Sequence, residues 1–553
     1  MYYRKEYERW IAYAKEDELA DELQSMSEAQ IEDAFYRELK FGTGGIRGVI
    51  GAGTNRINVY TVAKVSQGLA NYIKKQYSSP SIVISFDSRR KSDLFSKVAG
   101  EVLAANGIKV WRYEEPMPTP CLSYAVRALE CSAGIMITAS HNPARYNGYK
   151  VYGSDGCQIT TEAAKEIFEE IEKVDIFGDV KRIAIDPVYI NRGFKAVPPS
   201  VYDNFIAEVL GQSVLFGNEI NQDIAIVYSP LNGTGLKPVT RILQESGFTN
   251  ITVVKEQEQP DGNFPTCPYP NPETQEAMKL GIEYASRLNA DLLLATDPDA
   301  DRCGIAVKDG EKYKLLSGNE VGLLLLDFIC SQRIQHRKMP MNPVFIKTIV
   351  TMDLAEKIAE SYGVETINVL TGFKFIGEII GKLEDEGRVK DYICGFEESY
   401  GYLTGTYVRD KDGVNAAFMI CEMFAFYKTR GISLVQKLEE IYSTYGYCLN
   451  TLHSYKFDGS SGMQKMKEIM QTFRKGLESI AGHKVVCTED YSVGVNGLPK
   501  SDVLKFRIDH GSVVIRPSGT EPKLKVYISV TAESKEMAGK VEKEIIADVE
   551  KRV

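Results

Sequence analysis

The chain has 553 residues, of which 44% are hydrophobic and 25% are charged. These fractions are close to globular averages and exclude a disordered or fibrous protein. At about 150 residues per domain, the length predicts three or four domains. The net charge of −9 argues against a general nucleic-acid binder, so any phosphate site must be a local basic pocket.

The N-terminal segment is charged from Arg4 onward and lacks the apolar core of a secretory signal. The longest apolar run, around residues 321–330, is interrupted by Asp327 and falls short of the roughly 20 residues that a membrane helix needs. We therefore expect a cytoplasmic protein with neither a membrane nor a nucleic-acid partner.

Cysteine and histidine usage limits the kinds of metal site. The ten cysteines contain no Cys-x-x-Cys pair, which suits reduced thiols better than a disulfide framework or a zinc knuckle. The five histidines are too dispersed in the sequence to indicate a multi-histidine site. Any metal site should therefore use carboxylates. The histidines are His141, His336, His453, His483 and His510.

Residues 4 to about 40 have a helical pattern, with Ser27 and Gln30 placed as a capping box before Ile31. Beyond them, short apolar runs alternate with helical patterns, as is typical of α/β domains. Polar loops follow these runs, beginning with Asp87-Ser88-Arg89, and such loops at the carboxyl ends of parallel strands bind ligands in open α/β sheets. The runs are Ile82 to Phe86, Gly134 to Thr138, Ile224 to Tyr228, Leu292 to Ala295 and Tyr392 to Cys394.

The last hundred residues have a different pattern. A helix with apolar residues on one face, from Met463 to Leu477, precedes β runs at 503–508, 512–515 and 524–530 and a final charged helix. This order predicts a small α+β domain. Turn signals at three places then divide the chain into domains of residues 1–197, 198–322, 323–446 and 447–553.

Ser140 is the first candidate catalytic residue. It lies directly after a predicted strand, beside His141, where a hydroxyl could act as a nucleophile or could simply cap a turn. A serine hydrolase is disfavoured because Gly-x-Ser-x-Gly is absent here. Lys150 ends a turn signal, so it either returns a cation toward Ser140 or is a solvated loop lysine.

Asp297, Asp299 and Asp301 place three carboxylates on alternate residues of one loop. Crowding like charges without a cation is unfavourable, so a plain surface turn is the weaker interpretation. An EF-hand is excluded because the sixth residue is Arg302 rather than glycine. Mg²⁺ fits such an oxygen site when a phosphate oxygen or waters complete its shell, and Arg302 would then lie beside that phosphate.

Further loops carry groups suited to a phosphorylated sugar. The segment from Arg516 to Pro522 offers a guanidinium, hydroxyls and a glycine backbone, a set that suits a phosphate dianion, although an ordinary Pro/Gly loop is the alternative. The glycine-rich segment 41–48 fits no nucleotide motif and could instead be a flexible turn that presents Arg47. Glu397 and Ser399 either bind ligand hydroxyls or cap a helix.

Four of these segments, taken in order, resemble the α-D-phosphohexomutase superfamily. They read Thr-Ala-Ser-His-Asn-Pro at 138–143, Asp-Pro-Asp-Ala-Asp-Arg at 297–302, Gly-Phe-Glu-Glu-Ser-Tyr-Gly at 395–401 and Arg-Pro-Ser-Gly-Thr-Glu-Pro at 516–522. The resemblance covers nearly the whole chain. It implies three consecutive α/β domains with mixed, helix-flanked sheets and a C-terminal α+β domain, arranged around a central cleft. It also implies reversible movement of a phosphoryl group between the 1- and 6-hydroxyls of a hexose.

The resemblance assigns roles residue by residue. It makes Ser140 the phosphorylated serine, which holds one Mg²⁺ per chain together with Asp297, Asp299 and Asp301. Lys150 and Arg47 take acid/base and transition-state roles, with His141 in support. The implied sugar-phosphate contacts are Arg302, Lys374, Glu397, Ser399 and Lys411. The implied clamp on the phosphate that is not transferred consists of Arg516, Ser518, Gly519 and Thr520.

The helical N-terminus and the sequence Tyr400-Gly401-Tyr402 resemble the longer branch of the superfamily, which contains phosphoglucomutases, phosphopentomutases and a glucose 1,6-bisphosphate synthase. Bacterial members that use both glucose and mannose commonly end this loop in histidine. We therefore expect interconversion of glucose 1-phosphate and glucose 6-phosphate, with glucose 1,6-bisphosphate as intermediate and activator. Phosphopentomutase or phosphomannomutase activity is the alternative on the same scaffold.

Two alternatives belong to other classes, namely a Mg²⁺-dependent phosphatase and a non-catalytic sugar-phosphate sensor. We expect the chain to act as a monomer or a weak homodimer. Because one serine must face both ends of the sugar, we also expect a hinge near residue 446 that lets the fourth domain move as a lid.

Overall fold

The computed structural model of the chain describes residues 2–42, 44–184, 193–457, 459–495, 497–517 and 523–553. These residues form 18 α-helices and 21 β-strands, and the strands belong to four sheets. Within the described ranges, no helix is both long enough and apolar enough to span a membrane.

Three helices precede the first sheet. They are α1 (Tyr2–Tyr13), α2 (Asp17–Ser25) and α3 (Glu28–Phe35). The side chain of Gln30 accepts a hydrogen bond from the backbone N–H of Ser27 at 2.8 Å, as the predicted capping box requires. Trp10 is fully buried and packs edge to face against Phe35, so the helices enclose a small core of their own.

The first sheet is mixed, with the order β1-β5-β4-β2-β3-β6. Neighbours among β4, β2, β3 and β6 pair in parallel, whereas β5 pairs antiparallel with both β1 and β4. The strands are β1 (Gly45–Val49), β2 (Ser81–Phe86), β3 (Lys109–Arg112), β4 (Ala133–Ile137), β5 (Tyr146–Gly153) and β6 (Phe194–Ala196). The helices of this unit are α4 (Val59–Gln76), α5 (Ser92–Ala105), α6 (Thr119–Ala128) and α7 (Thr161–Glu172).

The second sheet has the order β11-β10-β9-β7-β8, with β8, β7 and β9 parallel and β10 and β11 antiparallel. Its strands are β7 (Ile226–Ser229), β8 (Ile251–Val253), β9 (Leu292–Thr296), β10 (Cys303–Asp309) and β11 (Lys312–Leu316). The helices are α8 (Pro199–Leu210), α9 (Leu236–Glu245), α10 (Lys255–Glu258) and α11 (Gln275–Leu288). The loop from β9 to β10 carries the three aspartates, at the carboxyl end of a central strand.

The third sheet has the order β13-β12-β14-β15, in which only β15 runs antiparallel to its neighbour. Its strands are β12 (Val344–Thr348), β13 (Glu365–Val369), β14 (Tyr392–Glu397) and β15 (Gly401–Leu403). The helices are α12 (Gly318–Gln335), α13 (Leu354–Ser361), α14 (Phe373–Asp385), α15 (Gly413–Thr429) and α16 (Leu434–Tyr445).

The boundary predicted after residue 322 falls inside α12. Gly318 and Asn319, which favour a loop in the sequence, are instead the first residues of this helix. The reason is a capping box, in which Ser317 Oγ accepts from the Glu320 N–H at 3.2 Å and Glu320 accepts from the Ser317 N–H at 2.7 Å.

The fourth sheet is antiparallel throughout, with the order β16-β21-β20-β19-β18-β17. The turn between the β runs predicted at 503–508 and 512–515 is Asp509-His510, because Gly511 already pairs with Ile508. The strands are β16 (Tyr447–Lys456), β17 (Ser479–Ile480), β18 (His483–Asp490), β19 (Leu504–Ile508), β20 (Gly511–Pro517) and β21 (Lys523–Ala532). The helices are α17 (Gly459–Arg474) and α18 (Lys535–Glu550). Three mixed, helix-flanked sheets followed by this α+β unit confirm the predicted fold class.

Candidate active site

The three aspartates form the buried centre of the site. Asp297, Asp299 and Asp301 are each 0% exposed, and one oxygen from each lies within 4.8 Å of the others. The loop between β9 and β10 turns all three carboxylates to one side, as their alternating positions predict. Such a cluster needs cations close by, because burial and mutual repulsion both disfavour the charged forms.

All three α/β units hold this loop in place. The backbone N–H groups of Thr119, Thr234 and Gly413 donate hydrogen bonds to backbone carbonyls of the loop at 2.9, 2.9 and 3.1 Å. Thr119 begins α6, Thr234 precedes α9 and Gly413 begins α15. The aspartate loop therefore lies where the first three units meet.

Ser140 lies beside the aspartates, although 157 residues separate it from Asp297 in the chain. Its Oγ donates a hydrogen bond to Asp297 Oδ2 at 2.8 Å and lies 3.2 Å from His141 Nδ1. Its φ of 50° is in the left-handed region, which costs about 1–3 kcal/mol for a residue with a side chain. The surrounding structure must therefore hold the Ser140 loop in shape.

Arg89, for which the sequence predicts no specific role, lies beneath the Ser140 loop. Its guanidinium donates hydrogen bonds to the backbone carbonyls of Pro143 and Tyr146 at 3.0 and 3.1 Å, and to those of Ser140 and Asn142. In the sequence, the feature that could have indicated this role of Arg89 was its position in the polar loop that follows β2. One fully buried side chain thus ties together four carbonyls of the Ser140 loop.

Asp87 completes this support. Its carboxylate pairs with the Arg89 guanidinium at 3.3 Å and accepts a hydrogen bond from Thr138 Oγ1 at 2.6 Å. Thr138 Oγ1 in turn accepts from the Ser140 N–H at 2.8 Å. A continuous chain of polar contacts therefore runs from the end of β2 to Ser140.

Lys150 and Arg47 reach the site from the paired strands β5 and β1. In their register Gly45 faces Lys150 and Arg47 faces Gly148. Lys150 Nζ lies 3.0 Å from Asp299 Oδ2 and 3.7 Å from Asp301 Oδ2. Arg47 Nη1 donates to the side-chain oxygen of Asn142, in the Ser140 loop, at 3.3 Å.

Two further cations come from the second and third units. Lys411 Nζ, on the segment before α15, lies 2.7 Å from Asp301 Oδ2. The guanidinium of Arg302 pairs with Glu273, a residue that the sequence analysis did not select. Charge-neutralising groups therefore reach the aspartates from several directions.

These cations set the ionisation of the aspartates. Burial, followed by repulsion from Asp299, raises the pKa of Asp297 well above its usual range. Burial opposes ionisation of Asp299 too, but Lys150 and Lys411 outweigh it and hold the pKa of Asp299 below its ordinary value. Such a split, with one pKa raised and another lowered, is expected when carboxylates of like charge share one site.

The donor set fits a divalent cation. Asp299 Oδ1 and Asp301 Oδ1 are buried, and neither accepts a hydrogen bond from any described residue. Buried carboxylate oxygens without a donor are costly, and a cation would satisfy them. All the ligands are oxygens, as hard cations prefer. Within the described part of the chain, the aspartate triplet could hold a metal ion.

His141 packs edge to face against Tyr269, with ring centroids 5.8 Å apart. Burial, together with the charges of Arg302 and Arg47, lowers the pKa of His141 well below its ordinary value. The imidazole is therefore neutral near pH 7. Its Nδ1 contacts the Ser140 hydroxyl. The supporting role of His141 in the reaction stays a prediction.

Glu397 and Ser399 lie at the end of β14 and in the turn that follows it. Glu397 is 5% exposed, and its Oε1 accepts a hydrogen bond from the Gly372 N–H at 3.0 Å. Burial and the neighbouring Glu398 raise the pKa of Glu397 to about 7. Glu397 can therefore change between accepting and donating a hydrogen bond near neutral pH.

Lys374 is the second residue of α14. It lines a cavity of about 190 Å³ between the first and third units, together with Tyr72, Ile159 and Phe375. Burial lowers the pKa of Lys374. Its backbone carbonyl accepts a hydrogen bond from Cys157 Sγ.

Arg516 lies near the end of β20. Burial raises the pKa of Tyr527, on the adjacent strand β21, above its usual range. The charges of Glu398 and Arg516 also act on this pKa, so both residues lie near Tyr527. Arg516 thus lies on the side of the fourth unit that faces the turn after β14. The other members of the predicted phosphate clamp, Ser518, Gly519 and Thr520, lie outside the described residues.

A mixed α/β scaffold with a loop serine against a carboxylate triplet defines a candidate phosphoryl-transfer enzyme. Four consecutive segments match the phosphoglucomutase/phosphomannomutase family: its α/β/α domain I at residues 38–176, domain II at 203–310, domain III at 317–445 and its C-terminal domain at 463–547. The chain belongs to this family, which confirms the predicted membership.

Individual relatives match over nearly the full length. A phosphoglucomutase of Staphylococcus aureus (strain MSSA476) is 38% identical over 538 residues, covering 95% of each chain. A phosphoglucomutase of Staphylococcus haemolyticus (strain JCSC1435) is 35% identical over 543 residues, covering 95% of this chain and 96% of the other. The open form of pp63/parafusin, a phosphoglucomutase from Paramecium, has a TM-score of 0.71 at 17% identity, covers 93% of this chain and 96% of its own, and supports the fold alone.

Proposed function

We propose that this protein is a phosphoglucomutase, which interconverts glucose 1-phosphate and glucose 6-phosphate through a phosphoserine at Ser140. The observation that carries the proposal is the 2.8 Å contact between Ser140 Oγ and Asp297 within a buried carboxylate triplet. The near full-length similarity to a curated phosphoglucomutase supports glucose as the sugar.

In the forward reaction the phosphate on Ser140 moves to the 6-hydroxyl of glucose 1-phosphate. The bond between phosphorus and Ser140 Oγ breaks, a bond from phosphorus to the sugar oxygen forms, and the hydroxyl proton passes to a base. The bisphosphate then turns over in the cleft, and its 1-phosphoryl group is transferred to Ser140. The bond between phosphorus and the sugar 1-oxygen breaks, a bond from phosphorus to Ser140 Oγ forms, the serine hydroxyl gives up its proton, and the 1-oxygen takes up a proton. Glucose 6-phosphate leaves, and the enzyme is phosphorylated again.

Lys150 is suited to the proton transfer. Its Nζ lies between Asp299 and Asp301, at the same end of the first sheet as Ser140. Arg47 approaches the Ser140 loop at Asn142, where its guanidinium can stabilise charge on the transferring phosphoryl oxygens. A properly placed acid or base typically contributes about 10²- to 10⁴-fold in rate.

Asp297, Asp299, Asp301 and a phosphate oxygen on Ser140 would hold one Mg²⁺. When bound, this ion would neutralise charge that develops on the phosphoryl oxygens. The orphaned buried oxygens of Asp299 and Asp301 support this assignment.

The remaining predicted contacts divide between the two ends of the substrate. Glu397 and Ser399 are suited to the sugar hydroxyls, and the charges of Lys411 and Arg302 act on Glu397. Lys374, which lines the cavity between the first and third units, stays a predicted contact. Arg516, together with Ser518, Gly519 and Thr520, would bind the phosphate that is not being transferred. Binding both ends keeps the bisphosphate inside the cleft while it reorients.

The test combines intact-mass measurement with an activity assay. Wild-type protein treated with glucose 1,6-bisphosphate should gain one phosphoryl group and, with Mg²⁺, convert glucose 1-phosphate to glucose 6-phosphate. Ser140→Ala should do neither, whereas Ser443→Ala, an exposed serine on α16, should behave as wild type. Release of inorganic phosphate without isomerised sugar would indicate a phosphatase instead.

A substrate panel tests the choice of sugar. We expect kcat/KM to be highest for glucose 1-phosphate when it is compared with mannose 1-phosphate and ribose 1-phosphate. A higher value for either competitor would assign the protein to that mutase activity, with the same phosphoserine chemistry.

A further inference from the structure

Two of the five histidines meet in the C-terminal unit, although their spacing in the sequence argued against a shared site. His483 begins β18, while Asp509 and His510 form the turn between β19 and β20. Because β18 pairs antiparallel with β19, the start of β18 lies next to that turn. Three side chains with metal-binding atoms therefore converge at one end of the sheet.

The carboxylate of Asp509 lies between the two imidazoles. Its Oδ1 is 3.5 Å from His483 Nδ1, and its Oδ2 is 3.8 Å from His510 Nε2. The two rings meet edge to face with centroids 5.9 Å apart. One donor atom from each of the three residues lies within 4.8 Å of the others.

These separations suit a shared ion better than direct contacts. They exceed ordinary hydrogen-bond lengths. In a tetrahedral zinc site with bonds of about 2.0–2.1 Å, neighbouring ligand atoms lie roughly 3.3 Å apart. The two observed distances run to different oxygens of the Asp509 carboxylate and are slightly longer than that value. Side-chain rotations would therefore be needed to bring one donor atom of each residue onto a shared ion.

We propose that His483, Asp509 and His510 form a second metal site, which binds a divalent transition metal such as Zn²⁺. Two imidazoles and one carboxylate are a nitrogen-rich set, and such sets favour Zn²⁺, Ni²⁺ or Cu²⁺ over Mg²⁺. The aspartate triplet offers only oxygens and has the opposite preference. The two sites therefore select different metals by their donor atoms.

The second site is separate from the reaction chemistry. The Asp509-His510 turn lies at one end of β20, and Arg516 lies near the other end. The side chains of Asp509 and His510 are 46% and 59% exposed, so an ion can enter from solvent and water can fill its remaining positions. A bound ion would join the start of β18 to the β19–β20 turn and stabilise this part of the sheet.

The experiment is calorimetric titration of the full-length protein with Zn²⁺ in saturating Mg²⁺, which competes with Zn²⁺ at the aspartate triplet and does so equally in every variant. We expect wild type to bind one more equivalent of Zn²⁺ than the double variant His483→Ala/His510→Ala. His453→Ala is the matched control, because His453 contacts Glu542 at 2.7 Å and belongs to no such cluster of described residues. It should bind Zn²⁺ as wild type does.

A second variant guards against a folding defect. Asp509→Asn keeps a residue that suits the turn but removes the negative charge, so it should weaken Zn²⁺ binding while thermal unfolding without Zn²⁺ stays as in wild type. Zn²⁺ should also raise the unfolding temperature of wild type and of His453→Ala, but not that of the double variant. Equal Zn²⁺ stoichiometry in wild type and the double variant would overturn the proposal.

Discussion

At the residue scale, the backbone conformation of Ser140 depends on Arg89. The left-handed φ of Ser140 is unfavourable for a residue with a side chain. Arg89 offsets this cost by donating to four backbone carbonyls around the loop, and its own charge is balanced by Asp87. Arg89 does not reach Ser140 Oγ through any of these bonds, so we regard it as a positioning residue.

We predict that Arg89→Lys lowers kcat by about 100-fold, because an ammonium cannot match the fork of a guanidinium and small displacements of reacting groups have effects of that size. The KM for glucose 1-phosphate should change little, and phosphorylation of Ser140 should slow in parallel with kcat. Arg90→Lys is the control, since the adjacent Arg90 is exposed. Equal kcat values for the two variants would contradict a positioning role.

Glu422 makes the stability of the protein depend on pH. It is buried on α15, where it accepts hydrogen bonds from the Val214 N–H at 2.9 Å and from Ser213 Oγ. Burial raises the pKa of Glu422 to about 7 from its ordinary value of 4.5. Between those two values the unfolded chain releases this proton and the folded chain keeps it, so stability falls as pH rises.

We predict that Glu422→Gln removes this dependence. Glutamine can accept from Val214 and donate to Ser213 without a charge, so the variant should be more stable than wild type at pH 8, by up to about 3 kcal/mol, and similar at pH 5. Thermal unfolding across this range provides the measurement. Glu360→Gln, on the exposed side of α13, should retain the wild-type pH dependence. If Glu422→Gln showed the same dependence of stability on pH as wild type, Glu422 would not be the group responsible.

At the element scale, the aspartate loop is shaped by the segment that follows β7. Gly233 lies against this loop so closely that an added Cβ would be 2.5 Å from Pro298 Cα and 2.7 Å from its carbonyl oxygen. Thr234, the next residue, donates to the same carbonyl at 2.9 Å. A side chain at residue 233 would push the segment after β7 away from the aspartate loop. The close approach of Gly233 to Pro298 and the hydrogen bond from Thr234 would then both be lost.

We predict that Gly233→Ala displaces the aspartate loop and weakens Mg²⁺ activation, with a destabilisation of about 1–3 kcal/mol from overpacking. The concentration of Mg²⁺ that gives half-maximal activity should rise, and excess Mg²⁺ should restore part of the rate. Gly381→Ala is the control, because an added Cβ there meets nothing within 4 Å. An unchanged Mg²⁺ requirement in Gly233→Ala would show that the loop tolerates the shift.

At the scale of the whole molecule, a buried charge network joins the third and fourth units. Asp353 accepts hydrogen bonds from Lys505 Nζ at 2.9 Å and from Ser512 Oγ at 2.6 Å, and Lys347 lies 3.5 Å away. An apolar cluster with members such as Ile349 surrounds this network. In this structure the C-terminal unit is therefore docked on the third.

We predict that Asp353→Asn loosens this docking, because it leaves the buried Lys505 without its counter-charge, while Lys347 keeps Glu356 at 3.1 Å. Breaking a buried pair costs about 3–5 kcal/mol. Small-angle scattering should report a larger radius of gyration, and proteolysis near Gly446 should accelerate. Asp385→Asn, an exposed position on α14, is the control. Identical scattering from both variants and wild type would mean that other contacts hold the units together.

The predicted lid hinge near residue 446 stays a prediction. Gly446 joins α16 to β16 with a φ of 101°, a conformation that favours glycine. The domain boundaries after residues 197 and 446 also stay predictions.

The sequence alone was enough to determine the order of the motifs, the family and the strands that carry the motifs. These features depend on residues that are close along the chain, since apolar runs mark buried strands and the loops after them carry the reactive groups. The aspartate triplet was predictable for the same reason, because its three carboxylates lie within five residues.

Only the tertiary structure decided which distant residues meet. Arg89 supports the Ser140 loop, Glu273 pairs with Arg302, and His483 meets His510 because the path of the chain brings their strands and loops together. No local periodicity or turn signal encodes such contacts, since their geometry depends on sheet order and on how the units pack. The start of α12 at Gly318 is a related case, in which a hydrogen-bonded cap outweighed the loop preference of two residues.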